Sequence, residues 1–180
     1  MALRDLFTGT DPSIYEVRTQ APGPAGRLPL TPELLADAPS RDLFGMTMNV
    51  GMGWNPDDVN RDAVMIVSTA GGATDADGNP IALGLHTGHY QLAELVNEAA
   101  REVAAQGALP YATYVSDPCD GRSQGTVGMF DSLPYRNDAA IVMRRLIRSL
   151  PTRRAVMGIA SCDKGLPAMM IALASMHNDP

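Results

Sequence analysis

The sequence predicts an α/β fold: a parallel sheet flanked by helices, a βαβαβα core preceded by an irregular N-terminal arm. Three observations carry this. Ala63 to Thr69, AVMIVST, is a continuous apolar run of the kind found in strands buried on both faces. Pro110 to Val115 and Arg154 to Ala160 are two more strand-like runs, each preceded by a segment of helical periodicity. Strands alternating with helices make a parallel sheet covered by helices, because a parallel crossover needs a long connection.

The elements follow in order. Residues 1–62 read as an extended arm. Proline and glycine recur in QAPGPAGRLPLTPELL, and Thr31-Pro32-Glu33 is a helix-start signal for one short helix. Leu43, Phe44, Met46, Met48 and Trp54 are too many apolar side chains for a free tail, so the arm is expected to pack on something larger. Residues 63–180 form the α/β portion. After the first strand, GGATDADGNP is a turn-rich loop and Ile81 to Leu85 a short apolar element. Tyr90 to Gln106 reads as a helix with Leu92, Leu95, Val96, Ala99, Val103 and Ala104 on one stripe, stopped by Gly107. Residues 116–134 form a long, polar, glycine-rich loop after the second strand. Asn137 to Leu150 is a helix with Ile141, Val142, Leu146 and Ile147 inward. Ser161 to Gly165 is a turn, and Pro167 opens a last apolar helix.

Composition narrows the function. With 180 residues and 45% hydrophobic side chains, the chain can bury a core. A net charge of −6 argues against a general nucleic-acid binder, which carries a basic excess. No apolar run reaches the roughly 18 residues that span a bilayer. MALRDLF shows no signal peptide, so a cytoplasmic location is expected.

Ligands of parallel sheets bind outside the carboxyl ends of the strands. SDPCDG follows the second strand and SCDKG the third, which puts both cysteines on that edge. Each is followed by an aspartate: Cys119-Asp120 and Cys162-Asp163. Thiolates suit a soft centre such as zinc or an iron–sulfur cluster, and carboxylates suit a hard ion such as magnesium. The blander alternative is two buried small side chains and two loop or N-cap acids. Lys164 is the single lysine among 14 basic residues. A lysine where arginine serves everywhere else hints at chemistry that needs a neutral amine, and chance in an arginine-rich chain accounts for it as well. His86 and His89 form an H-x-x-H at the mouth of the first core helix; metal ligation and plain helix-start polarity both account for it. Arg136, just past the long loop, could clamp a carboxylate bidentately. The remaining arginines of Arg136 to Arg154 read as a solvated helix face.

CDGRSQGTVGMFDSLPYRN followed by SCDKGLPAMMIALA resembles the dihydroxy-acid dehydratase and 6-phosphogluconate dehydratase family. That family carries a CDG or SDG loop, then GM-x-x-SL-x-x-R, then CDK-x-x-P. FGMTMNVGMGW and LHTGHY are more similar to its sugar-acid branch of bacterial D-xylonate dehydratases. The resemblance implies a hydro-lyase that takes water from an aldonic acid such as D-xylonate and yields a 2-keto-3-deoxy acid. It implies an iron–sulfur cluster as Lewis acid on the departing hydroxyl and Mg2+ binding the substrate. Carried over, Cys162 and Cys119 become cluster ligands, and Asp120, Asp163 and Lys164 (as a carbamate) become magnesium ligands. Arg136, His86 and His89 are candidates for substrate binding. One departure stands out: the family's C-N-x-H motif is replaced by LHTGHY. Either His86 replaces the missing cysteine or Cys119 takes over its role, and the cluster is 2Fe-2S or 4Fe-4S.

Family members are several hundred residues long, so the chain corresponds to the N-terminal portion, and the residue that abstracts the proton is expected outside it. The isolated chain is expected to be inactive. Met169, Met170, Ile171 and Leu173 are expected to pack on further structure and to cause self-association without it. The full-length enzyme is expected to be a homo-oligomer. Two competing readings are a non-catalytic divalent-metal module using His86, His89, Cys119 and Cys162, and an inactive gene remnant.

Overall fold

The structure, a computed structural model, describes residues 31–178 and the backbone of Glu16–Val17 and Gly26–Arg27. The other residues of the N-terminal arm, including the proline- and glycine-rich stretch, lie outside the described residues. The chain divides into two compact units, Met1–Arg61 and Asp62–Pro180.

In the first unit, β1 (Glu16–Val17) and β2 (Gly26–Arg27) pair antiparallel. Helix α1 (Pro32–Asp37) starts where the sequence signals it. Thr31 Oγ1 accepts from Leu34 N at 3.1 Å, and Pro32 takes the first helical position, where its missing N–H costs nothing. Helix α2 (Ser40–Gly51) buries Met46, Asn49 and Val50, spaced three and four apart, and Leu34 and Val59 pack on Met46 and Val50. A 3-10 turn, Pro56–Asn60, follows. Residues 32–60 of the predicted arm are therefore largely helical. The methionines and glycines of FGMTMNVGMGW obscure a period that only Met46 and Val50 carry, and Phe44 faces out.

The second unit is the predicted parallel sheet. Strand order is β6 (Leu109–Tyr114), β3 (Ala63–Ser68), β7 (Arg153–Ile159), all parallel. Central β3 is buried almost throughout, which explains its unbroken apolar run. Helix α3 (Thr87–Ala105) packs against β3 and β6. Helices α5 (Met129–Arg148) and α6 (Gly165–Ala174) pack on each other and cover Met65 and Val67. A small exposed hairpin, β4 (Ala73–Thr74) with β5 (Pro80–Ala82), lies between β3 and α3.

Three local expectations are corrected. Helix α5 starts eight residues before Asn137 and takes up the end of the predicted loop. Pro134 sits in its second turn on an exposed side, where the backbone bond it cannot make costs less than it would in the core. The inward residues of α5 are Ala139, Ala140, Met143 and Ile147; Ile141 and Val142 face out. Small alanines let α5 approach α6, so the apolar pair beside them is not the buried one. Leu95 of α3 is likewise exposed, whereas Leu92, Val96 and Val103 are buried. In α6, Met169 is buried and Met170 and Ile171 are exposed.

No helix among the described residues is long and apolar enough to cross a membrane.

Candidate metal centre

The registers of β3 with β6 and β7 bring Ser68, Tyr114 and Ile159 level, so the segments leaving all three strands emerge at one edge. Strand order β6-β3-β7 sends the connections to either side of β3 at that edge, the position where α/β sheets bind ligands. The turns are tied together. Thr69 N donates to Ile159 O at 3.1 Å, Thr69 Oγ1 accepts from Ser161 N at 3.2 Å, and Val115 N donates to Ser68 O at 2.9 Å.

Four groups of side chains meet at this edge. Helix α3 supplies His86 and His89. His86 is the N-cap, its Nδ1 accepting from Gly88 N at 2.8 Å, and His89 in the first turn is wholly buried. The segment after β6 supplies Asp117, buried to 3% exposure, and Cys119-Asp120, the latter opening a single helical turn, α4 (Asp120–Ser123). Helix α5 supplies Ser132, also buried. The turn after β7 supplies Ser161, Cys162, Asp163 and Lys164. Cys162 has φ 65°, the one non-glycine with positive φ among the described residues. That costs about 1–3 kcal/mol and persists only where the surroundings enforce it.

The contacts are specific. His89 Nε2 lies 2.6 Å from Asp117 Oδ1 and 3.2 Å from Cys162 Sγ. Asp117 Oδ2 accepts from Gly165 N at 3.0 Å. Asp120 Oδ1 accepts from the Ser132 hydroxyl, and Asp120 Oδ2 accepts from Lys164 Nζ at 2.9 Å. Asp163 Oδ2 is 3.7 Å from the same Nζ. Both predicted Cys–Asp pairs and the single lysine thus share one edge. Arg136 is not drawn in: its Nε and Nη2 hold Asn137 Oδ1 at 3.2 and 2.9 Å. His86 stands at the helix mouth with its ring centroid 5.8 Å from that of His89.

The electrostatics are those of an anionic pocket. Burial pushes the Cys162 thiol up, and the negative charges of Asp117, Cys119 and Asp163 push the same way, against a hydrogen bond from Ser161. Burial raises Asp117, opposed by His89. Asp120 is held low by hydrogen bonds from Ser132 and Lys164, and Lys164 is held high by Asp120. The pair therefore stabilises the metal-free fold within limits. The Asp120 contribution is complete above its unfolded-state pKa and is lost as pH falls through the lowered folded value. The Lys164 contribution is complete below its unfolded-state pKa and is lost as pH rises through the raised value. Asp120→Asn is expected to flatten the acid limb of stability, measured by urea unfolding from neutral pH to roughly pH 3.

The donor set suits bound cations: Cys119 and Cys162 are free thiols, and the carboxylates of Asp120 and Asp163 flank Lys164. Neither His89 Nδ1 nor Asp117 Oδ1 has an aligned hydrogen-bond partner, although both are buried. Buried polar atoms rarely stay unsatisfied without a functional reason. Three acids and two thiols face a single ammonium, so positive charge is in short supply. Ligand atoms of His89, Asp117 and Cys162 all lie within 4.8 Å of one another.

The sequence reading passed over Asp117 and Ser132. An acid three residues after β6 and two before Cys119, on the edge where ligands bind, is the signal for Asp117. Ser132 stood inside the GMFDSLPYR motif without a role.

Comparison with known proteins identifies the family. The family model described as dihydroxy-acid/6-phosphogluconate dehydratase N-terminal matches residues 81–180. The chain belongs to this dehydratase family. Every residue of the centre falls inside the matched segment. The chain is 63% identical over 178 residues to the D-xylonate dehydratase YjhG of Escherichia coli (strain K12), covering 99% of this chain and 27% of that protein. It is 60% identical over 180 residues to YagF, a D-xylonate dehydratase of the same strain, covering all of this chain and 28% of the relative. A dihydroxy-acid dehydratase of Archaeoglobus fulgidus is 31% identical over 90 residues, half of this chain and 16% of that protein. The chain therefore spans just over a quarter of the length of the D-xylonate dehydratases it matches.

Proposed function

We propose that the chain is the N-terminal, cofactor-binding part of a hydro-lyase that converts D-xylonate or a near aldonate to a 2-keto-3-deoxy acid. The convergence of Cys119, Asp120, Cys162, Asp163 and Lys164 on one sheet edge carries this reading. Identity of 60–63% to two D-xylonate dehydratases supports the substrate class.

Cys162 and Cys119 would hold an iron–sulfur cluster, and Asp120, Asp163 and Lys164 would hold Mg2+. When bound, the two supply a Lewis acid for the departing C3 hydroxyl and a grip on the substrate's carboxylate end. The chain's own residues prepare these positions. Ser132 fixes Oδ1 of Asp120 and leaves Oδ2 to Lys164. Lys164 Nζ, losing one proton to become a neutral amine and a second as its N–C bond to carbon dioxide forms, would present a carbamate carboxylate of its own beside Asp120 and Asp163. Asp117 draws the first residue of α6 against the sheet edge through Gly165 N. His86, at the mouth of α3 beside His89, is the candidate to meet a sugar acid. The setting proposed for the whole enzyme is a cytoplasmic homo-oligomer acting on a small molecule.

A second reading is a mononuclear divalent-metal site, favoured by the grouping of His89, Asp117 and Cys162. It fits less well. Two ligands on a tetrahedral ion are about 3.3 Å apart when their bonds are about 2.0 Å. The 2.6 Å between His89 Nε2 and Asp117 Oδ1 is shorter than that spacing.

The test is turnover. The full-length protein, reconstituted anaerobically with iron, sulfide and Mg2+, is expected to form keto acid from D-xylonate and to prefer it over a branched 2,3-dihydroxy acid by at least about tenfold. No keto acid from any aldonate would overturn the assignment.

A further inference from the structure

We propose that His89 and Asp117 are a buried positioning pair for Cys162, with the histidine Nε2–H directed at the thiolate and Asp117 favouring that proton and fixing the turn that carries the thiol. The inference rests on the metal-centre reading above and deepens it: it assigns the one polar pair of the centre that metal ligation leaves without a role.

The geometry has three parts. His89 is fully buried, so its ring acts on groups within the protein. Its Nε2 lies within hydrogen-bond reach of Cys162 Sγ at 3.2 Å, and Asp117 Oδ1 lies beside the same nitrogen at 2.6 Å without an aligned hydrogen bond. Asp117 uses its other oxygen on Gly165 N, three residues beyond Cys162. One carboxylate therefore joins the first turn of α3 to the first turn of α6, with Cys162 between them. This accounts for the left-handed backbone of Cys162, since its Cα is fixed from both sides.

The chemistry follows from the donor. A hydrogen bond to a ligating sulfur stabilises the more electron-rich state of the centre and fixes the direction of the sulfur lone pairs. His89 is in this account a positioning residue that acts through Cys162. The Asp117 carboxylate beside Nε2 favours hydrogen on that nitrogen through its charge, and its bond from Gly165 N holds the turn that carries the sulfur.

The experiment uses the full-length protein, reconstituted anaerobically, with His89→Gln and Asp117→Asn beside the wild type. Glutamine offers an N–H in a similar place without a ring to hold it; asparagine keeps an acceptor for Gly165 N. Far-UV circular dichroism checks folding. Folded His89→Gln is expected to take up iron and sulfide, to show a reduction potential lower than wild type, and to lose iron to a chelator roughly 10–100-fold faster. Asp117→Asn is expected to shift both readings the same way, by less. Unchanged potential and stripping rate in folded His89→Gln would overturn the pair. Should neither variant fold, wild-type protein with 15N-labelled histidine decides: pulsed EPR of the reduced cluster is expected to show a weakly coupled histidine nitrogen, and its absence overturns the pair. A wild type that holds zinc and no sulfide defeats the proposed function but still tests the pair. His89→Gln must then weaken zinc binding about 10–100-fold, and equal affinity overturns the inference. A wild type that holds no metal defeats both.

Discussion

Gly165→Ala is expected to destabilise the second unit by about 2–4 kcal/mol, read from urea unfolding of the metal-free protein. A Cβ at this position would lie 2.5 Å from Asp117 Oδ2, 2.9 Å from Asp117 Cγ and 3.1 Å from Thr69 Cγ2. None of these can give way cheaply. Asp117 is buried and holds the Gly165 N–H, and Thr69 accepts from Ser161 N. Alanine's better helix propensity returns at most about 1 kcal/mol, less at a first helical residue. The clash and the displaced hydrogen bond therefore decide the sign. Gly51→Ala is the matched control. It ends α2 with nothing within 4 Å of the new methyl, so it is expected to be neutral or stabilising by up to about 1 kcal/mol. Equal effects at the two glycines would mean that the Asp117–Gly165 contact does not tie α6 to the sheet edge.

Lys164→Arg in the full-length enzyme is expected to lower turnover by on the order of 10^3 or more, the scale of several kcal/mol of lost transition-state stabilisation. Arginine keeps a positive charge beside Asp120 and Asp163, so folding is expected to change little. It cannot lose its proton to become a carbamate. The variant thus separates the structural use of the lysine, a cation between two acids, from the chemical use that a lone lysine among arginines suggests. Turnover within about tenfold of wild type would show that the ammonium is all the site needs. Substrate binding distinguishes a further case: a raised KM with kcat intact would place Lys164 in uniform binding.

The sheet was legible because its signals are strong and local. β3 is buried on both faces, so Ala63 to Ser68 carries no polar interruption before Ser68. The convergence of Cys119 and Cys162 followed from topology alone, since parallel strands bring their carboxyl ends to one edge. Lys164 was legible as a compositional exception. What stayed hidden depends on tertiary packing. Ile141 and Val142 look like the inward pair of α5, yet Ala139, Ala140 and Met143 are inward because α6 lies close. Asp117 looks like a loop acid, and only the approach of α3 and α6 shows that it is buried between His89 and Gly165. Ser132 lies 12 residues beyond Asp120 and meets it only because α4 and α5 fold back together.

The most direct test of the centre is metal and sulfide analysis of the full-length protein isolated without oxygen, wild type beside Cys162→Ser. Iron with acid-labile sulfide in the wild type, both largely lost in the variant, is the expected result. Zinc without labile sulfide, or iron and sulfide retained in full by Cys162→Ser, would contradict the assignment of this sheet edge as the cluster site.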